Sequence, residues 1–241
     1  MISFIIPTLN EAAYITPTLQ ALVKLQGVPY EIIVSDGGST DTTQTQAQAY
    51  TPRIITSSKQ HARQGISTGK NLGAKQAQGD WLVFLDADVY IPDITNFFLS
   101  AFRIIQSHPR LVGLTVRLRV MPELETVRDR IFFGLLNFYF LIYNNLLHIG
   151  NAPGEFQMIQ AEAFKKLGGY REDLAAGEDM DMFNRLSKIG KTKVATNLLV
   201  YHSGRRAHTI GWAKLLYRWC KNGLYISLFN KSAFKEWEII R

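Results

Sequence analysis

The chain has 241 residues, 46% of them hydrophobic and 20% charged, enough to bury one large α/β core. A net charge of +7 and a pI near 9.5 point to an anionic partner: nucleotide phosphates, an acidic membrane face or nucleic acid. A lone cysteine, Cys220, excludes an internal disulfide, fits a reducing compartment and reads as a packing residue. No secretory signal and no clean transmembrane span is visible, because the apolar Met1–Ile6 is interrupted at once by Pro7 and Asn10.

In chain order, Ile2–Pro7 reads as a buried strand and Ala12–Gln26 as a helix. Glu31–Asp36 is the next strand, with Ser39 or Thr40 expected to cap the polar helix beyond it. Arg53–Ser57 is a third strand, Gln64–Gln78 a helix and Trp81–Asp86 a fourth strand. This βαβα alternation predicts a mostly parallel sheet covered by helices on both faces. Leu114, Val116, Leu118 and Val120 alternate with Thr115, Arg117 and Arg119, as in a half-exposed strand of a mixed sheet. The aromatic stretch from Ile131 to Ile149 carries Asn137, Asn144, Asn145 and His148, which makes it a poor bilayer span. It reads equally as a buried helix or as one lying in a membrane interface, with Arg128 and Arg130 facing anionic head groups. Gly154–Gln160 is a short strand and Ala161–Leu167 a helix stopped by Gly168-Gly169. A helix opened by Gly177-Glu178-Asp179 carries Met182, Phe183, Leu186 and Ile189 on one face and ends at Gly190, before the strand Thr192–Tyr201.

The chemistry-bearing residues collect at strand ends. Asp86-Ala87-Asp88 follows the fourth strand, and two carboxylates one residue apart in the ligand crevice of an α/β sheet suit Mg²⁺ or Mn²⁺ shared with a substrate's phosphates. Asp36 ends the second strand, where a carboxylate can hydrogen-bond a nucleotide's base or ribose, and Gly37-Gly38 lets backbone approach closely. The first βα turn has no G-x-G-x-x-G, which counts against NAD and FAD, and no G-x-x-x-x-G-K-[ST] loop is present. Asp179, in the first turn of its helix, suits either N-terminal capping or a chemical role.

Four segments, SFIIPTLNEAAYI, EIIVSDGGSTDTT, GKNLGAKQAQGDWLVFLDADV and GEDMDMFNRLSKIG, occur in this order, and with them the chain resembles family 2 glycosyltransferases of the GT-A fold. The resemblance covers roughly residues 1–205 and implies a Rossmann-like, mixed but mostly parallel α/β sheet with helices on both faces. It divides the catalytic domain into a nucleotide-sugar half, 1–110, and an acceptor half, 111–205. A basic aromatic helical tail, 206–241, lies outside it. The tail matters for charge: from His202 to Arg241 there are eight Lys/Arg against two Glu.

The resemblance implies a nucleotide-sugar donor whose base and ribose lie against Pro7, Thr8, Glu11 and Asp36, with Lys70 and Asn71 nearby in place of the family's usual Arg-Asn. Lys for Arg keeps the charge and loses bidentate geometry. Asp86, with Ala87 beside it, would address ribose or metal. Asp88 would hold the metal bridging the diphosphate, and Glu178-Asp179 matches the family's Glu-Asp pair with Asp179 as base. One base and an in-line attack predict an inverting, metal-dependent (Mn²⁺ or Mg²⁺) hexosyl-type transferase. His202 is a candidate third metal ligand, or an ordinary structural histidine. Arg205 and Arg206 are either a solvated turn or a diphosphate clamp. His61 and Arg63 read as a loop able to fold over the donor.

A UDP-sugar is the default donor, with GDP- or dTDP-sugars open. The acceptor hydroxyl is read as lipid-linked or as a small soluble molecule, in polysaccharide or glycolipid synthesis. The expected place is cytoplasmic, peripheral at the anionic membrane face, with no nucleic-acid partner because no such motif is visible. Two other readings are a sugar-phosphate nucleotidyltransferase, disfavoured by the lack of a glycine-rich basic loop after the first strand, and a non-catalytic nucleotide-binding module.

Overall fold

A computed structural model of the chain describes residues 1–56 and 65–234. Seven strands form one sheet in the order β3-β2-β1-β4-β6-β5-β7: β1 (Ile2–Thr8), β2 (Tyr30–Asp36), β3 (Ile54–Thr56), β4 (Trp81–Leu85), β5 (Leu111–Val120), β6 (Phe156–Gln160) and β7 (Lys191–His202). β1, β2, β3 and β4 pair in parallel, as do β5 and β7, while β6 runs antiparallel to both β4 and β5. The sheet is therefore mostly parallel with one reversed strand at its centre. That strand brings the residues just before β6 beside the end of β4.

Both faces are covered, so the central strands are mostly apolar. Ile2, Phe4 and Ile6 of β1 and Val83 and Leu85 of β4 point to one face, where α1 (Ile15–Leu22), α4 (Ile94–Ser107) and the start of α5 (Val127–Leu141) cover them. Ile5, Leu82 and Phe84 point to the other, under α6 (Ala161–Lys166) and α7 (Glu178–Ser187). α3 (Ile66–Gln76) lies so close to this face that a Cβ on Gly73 would sit 2.5 Å from Ile5 Cγ2, so glycine is needed there. The short α2 (Thr43–Gln48), α8 (Arg205–Ile210) and the long α9 (Trp212–Phe229) complete the set.

α4 had no sequence assignment; Asp93 caps it by accepting from Asn96 N at 3.1 Å. The aromatic stretch is α5 extended by a wider turn, Ile142–Leu146, and it is neither wholly buried nor wholly exposed. Phe133 and Phe140 are buried, whereas Ile131, Leu135 and Phe138 are exposed. The expected capping by Ser39 or Thr40 does not occur: α2 starts after Thr42 without a side-chain cap. Cys220, expected to pack, is exposed on α9. His61 and Arg63 lie outside the described residues.

Candidate active site

The Asp86-Ala87-Asp88 turn is held by its backbone from three directions. Thr18 Oγ1 of α1 donates to the carbonyls of Ala87 and Val89 at 2.6 and 2.9 Å. Asp86 N donates to Glu155 O, and Tyr90 bridges to Tyr201 near the end of β7. Asp88 is buried; its Oδ2 accepts from Ser203 Oγ and lies 3.5 Å from Arg205 Nε. Burial pushes the Asp86 carboxyl up to about 7; Lys70 and Arg205 pull against this, and Glu155 and Asp88 add to it.

Across the crevice stands the Glu178-Asp179 pair at the start of α7. Gly177 precedes it at φ +84°, a left-handed conformation that turns the chain into the helix without a side-chain cap. Asp179 therefore does not serve as the cap. Its carboxylate pairs with Lys70 Nζ at 2.5 Å, and Glu178 lies 3.2 Å from the same ammonium. Lys70 is 1% exposed and sits 5.0 Å from the centre of the Tyr170 ring. Burial would strip its proton, but Asp179 and Glu178 more than compensate, so Lys70 is held firmly charged. Burial and then Glu178 push the Asp179 carboxyl well above the usual range, with Lys70 opposing. Gly154 lies under this carboxylate, where a Cβ would come within 2.6 Å of Oδ2.

Several predicted donor residues turn out to be engaged within the protein. Asp36 is fully buried and accepts from Gly38 N, Ser39 N and Gln44 Nε2 through Oδ1, and from Thr8 Oγ1 and Ser39 Oγ through Oδ2. Five donors saturate a carboxylate, so Asp36 shapes the β2–α2 loop and leaves little capacity to hold a base. Asn71 clamps the backbone of Tyr170, accepting from its N at 2.8 Å and donating to its O at 2.9 Å, and donates to Glu172 at 2.8 Å. Glu11 is gripped by both terminal nitrogens of Arg205 at 2.7 and 2.9 Å, with the guanidinium 4.7 Å from the Tyr14 ring. Arg205 is thus a clamp between Glu11 and Asp88 rather than a solvated turn. Pro7 and Thr8, at the end of β1, pair with Ser35 and Asp36.

His202 is buried at the end of β7 with its ring edge-on to Phe133 at 4.8 Å. Burial lowers its proton affinity, so the ring is neutral. Nδ1 accepts from Gly204 N at 3.2 Å, which puts the proton on Nε2, a buried atom without a hydrogen-bond partner. A metal at Nε2 requires the other tautomer and the loss of the Gly204 bond. Among the described residues no three His, Cys, Asp or Glu side chains are spaced to hold an ion. Asp86 and Asp88 do fit a hard cation whose remaining ligands are phosphate oxygens.

The sequence places Glu155, Gln157 and Tyr170 within the segments expected to build the acceptor pocket, Gly154–Gln160 and Tyr170–Gly177, without giving any of them a role, and it does not single out Ser203. Glu155 stands beside Asp88, Lys70 and Arg206, and burial raises its proton affinity. Tyr170 donates to Gln157, whose Nε2 donates to Asp179 O at 3.3 Å. The only signal for these residues was their nearness in sequence to Gly154 and to the Gly168-Gly169 stop, since the reversed β6 that delivers them left no mark of its direction.

A mostly parallel sheet with one reversed strand, an Asp-x-Asp turn at its crevice and a Glu-Asp pair opposite defines the GT-A class of nucleotide-sugar transferase folds. The chain belongs to glycosyl transferase family 2, whose family model matches residues 3–168. That match stops short of Glu178-Asp179. An uncharacterized glycosyltransferase of Haemophilus influenzae is 26% identical over 200 residues, 77% of this chain and 62% of that protein. Among solved structures, a Pyrobaculum calidifontis mannosyltransferase in complex with GDP-Man and Mn²⁺ superposes with a TM-score of 0.69 at 17% identity, over 90% of this chain and 59% of that one. S. aureus TarS 1–349 in complex with UDP superposes with a TM-score of 0.63 at 21% identity, over 83% of this chain and 59% of that one. At these identities the structures speak for the fold.

Proposed function

We propose that this chain is an inverting, metal-dependent glycosyltransferase that moves a sugar from a UDP-sugar to an acceptor hydroxyl. The observation that carries the reading is the single electrostatic cluster in which Asp86 of the Asp-x-Asp turn, Lys70 and Asp179 act on one another from three separate elements. The base and ribose lie along Pro7, Thr8 and the loop that Asp36 shapes, beside Glu11. The diphosphate faces Asp86, Ala87 and Asp88, with Arg205 and Arg206 as the nearest arginines. A divalent cation, Mn²⁺ or Mg²⁺, held by Asp86 and Asp88 would offset the charge on the departing phosphate. His202, whose buried Nε2 has no hydrogen-bond partner, would be the third ligand once its proton moves to Nδ1.

Asp179 takes the proton of the acceptor hydroxyl as its oxygen bonds to the anomeric carbon and the bond to the β-phosphate oxygen breaks. A raised proton affinity suits that work, and the Lys70 ammonium works against the rise, favouring the deprotonated form that a base needs. Gly154 leaves room for the acceptor against Asp179. Attack from the face opposite the leaving group inverts the configuration. The exposed apolar side of α5 favours an acceptor carried on a lipid.

Calorimetric titration with UDP, GDP and dTDP, each with Mn²⁺ and with chelator, tests the donor and metal assignments. Binding of UDP that disappears with chelator is the expected result. Binding of none of the three, or of UDP equally well with chelator, overturns them. The matching of structural relatives bound to UDP and to GDP-Man supports a nucleoside diphosphate and leaves the base to this measurement.

A further inference from the structure

We infer that α5 and α9 together form a docking surface for an anionic lipid bilayer, with α9 lying flat in the head-group layer. The two helices are neighbours: Phe132 of α5 stacks on Trp212 at 3.9 Å and meets Trp219 at 5.9 Å between ring centres. Their outer sides are apolar at helical spacing. On α5, Ile131, Leu135 and Phe138 are 61, 66 and 60% exposed; on α9, Tyr217, Leu224 and Leu228 are 64, 60 and 65% exposed. Lys214 and Lys221 are exposed along one flank of the α9 stripe, and Lys221 lies 6.0 Å from the Tyr217 ring.

The charge identifies the occupant. Along α9 the charged residues are Lys214, Arg218 and Lys221, with no Asp or Glu. No described helix is long and apolar enough to cross a bilayer, and 18-residue α9 contains three cations, so the geometry left to it is in-plane. A second copy of the chain fits less well. A two-fold contact through α9 would set Lys214 and Lys221 against their own equivalents, with no acid on either helix face to answer them.

The inner side of α9 explains what such docking would accomplish. Asn222 Nδ2 donates to Ala176 O at 2.9 Å, and its Oδ1 accepts from Ser232 and Ala233. Ile226 touches the place where a Cβ on Gly177 would stand. The helix that faces lipid thus packs on the turn that carries Glu178 and Asp179, and it sets the acceptor side of the crevice at the membrane. This last step rests on the transferase reading; the docking itself does not.

The test uses the full chain and sedimentation with vesicles of phosphatidylglycerol and phosphatidylcholine against phosphatidylcholine alone, without any turnover. Binding to the anionic vesicles that falls with salt is expected. Lys214→Gln with Lys221→Gln should weaken partition about thirtyfold, and Leu224→Asp with Leu228→Asp should abolish it while the thermal melt stays unchanged. Equal binding to both vesicle types, or to neither, overturns the proposal. So does a concentration-dependent dimer that the leucine variant dissolves in the absence of vesicles. Nucleotide binding by a protein that ignores vesicles would sink the docking surface and leave the transferase intact.

Discussion

Lys70 keeps a full charge where water does not reach because two carboxylates surround it, and removing any of the three leaves the others stranded. Asp179→Asn is the informative change at this scale. It keeps the shape and a partial hydrogen bond to Lys70 but cannot accept a proton. Transfer should fall at least 10²–10⁴-fold, the usual share of a general base, while UDP binding measured by calorimetry stays within about threefold. Equal loss of binding and turnover would remove Asp179 from the chemistry. The pH profile carries the same information. A base works only when deprotonated, so activity present at high pH is lost as pH falls through the Asp179 value, and burial places that acid limb above the ordinary carboxylate range. Asp86 and Asp88 were legible as a candidate cation site because they follow an apolar strand one residue apart, whereas Asp179 stood out only through the resemblance to family 2 glycosyltransferases. Glu155 and Tyr170 were not legible, because what they contribute is a contact between strands and loops distant in sequence.

At the scale of elements, Asp129 does more than cap α5. It exchanges hydrogen bonds with Thr126 in a capping box and also accepts from His208 Nε2 and Trp212 Nε1, each at 2.8 Å, which fastens α8 and α9 to α5. Burial would raise its carboxyl, but the bonds from Thr126, His208 and Trp212 outweigh burial and hold it at about 2 against 3.8 in an unfolded chain. A lowered folded value means that the stabilisation is complete above 3.8 and is lost as pH falls toward 2. Asp129→Ala should cost about 2–4 kcal/mol in urea unfolding at neutral pH, since four donors lose a buried acceptor. The difference in Tm from wild type should shrink toward zero near pH 2. A constant difference across that range would mean the carboxylate's charge plays no part. The strand and helix alternation of the first half was legible because parallel strands buried on both faces read as unbroken apolar runs. α5 was only half legible: its stretch mixes Phe133 and Phe140, which pack, with Ile131, Leu135 and Phe138, which do not, and residue type alone cannot separate them.

For the molecule as a whole, the question is what ties the basic C-terminal helices to the sheet. The junction is Arg205, the first residue of α8, which reaches back to Glu11 at the end of the first βα turn and lies near Asp88 at the end of β4. Both side chains are largely buried, and the fork of the guanidinium matches the carboxylate, the geometry in which an ion pair contributes more than its surface counterparts. No local pattern announces a contact between positions 11 and 205; a run of two arginines after a strand looks like a solvated turn until the sheet brings β1, β4 and β7 to one end. A double-mutant cycle isolates the pair. Glu11→Gln and Arg205→Met should each destabilise the protein, and the double variant should lose less than their sum, giving a coupling of about 1–3 kcal/mol in urea melts. Because Arg205 would remain beside Asp88 in Glu11→Gln, that single change should cost less than Arg205→Met, which leaves two carboxylates without their cation. Additive losses would show that the two halves of the crevice hold together without this clamp, and that the fit of α9 against the Gly177 turn is enough to keep the tail in place.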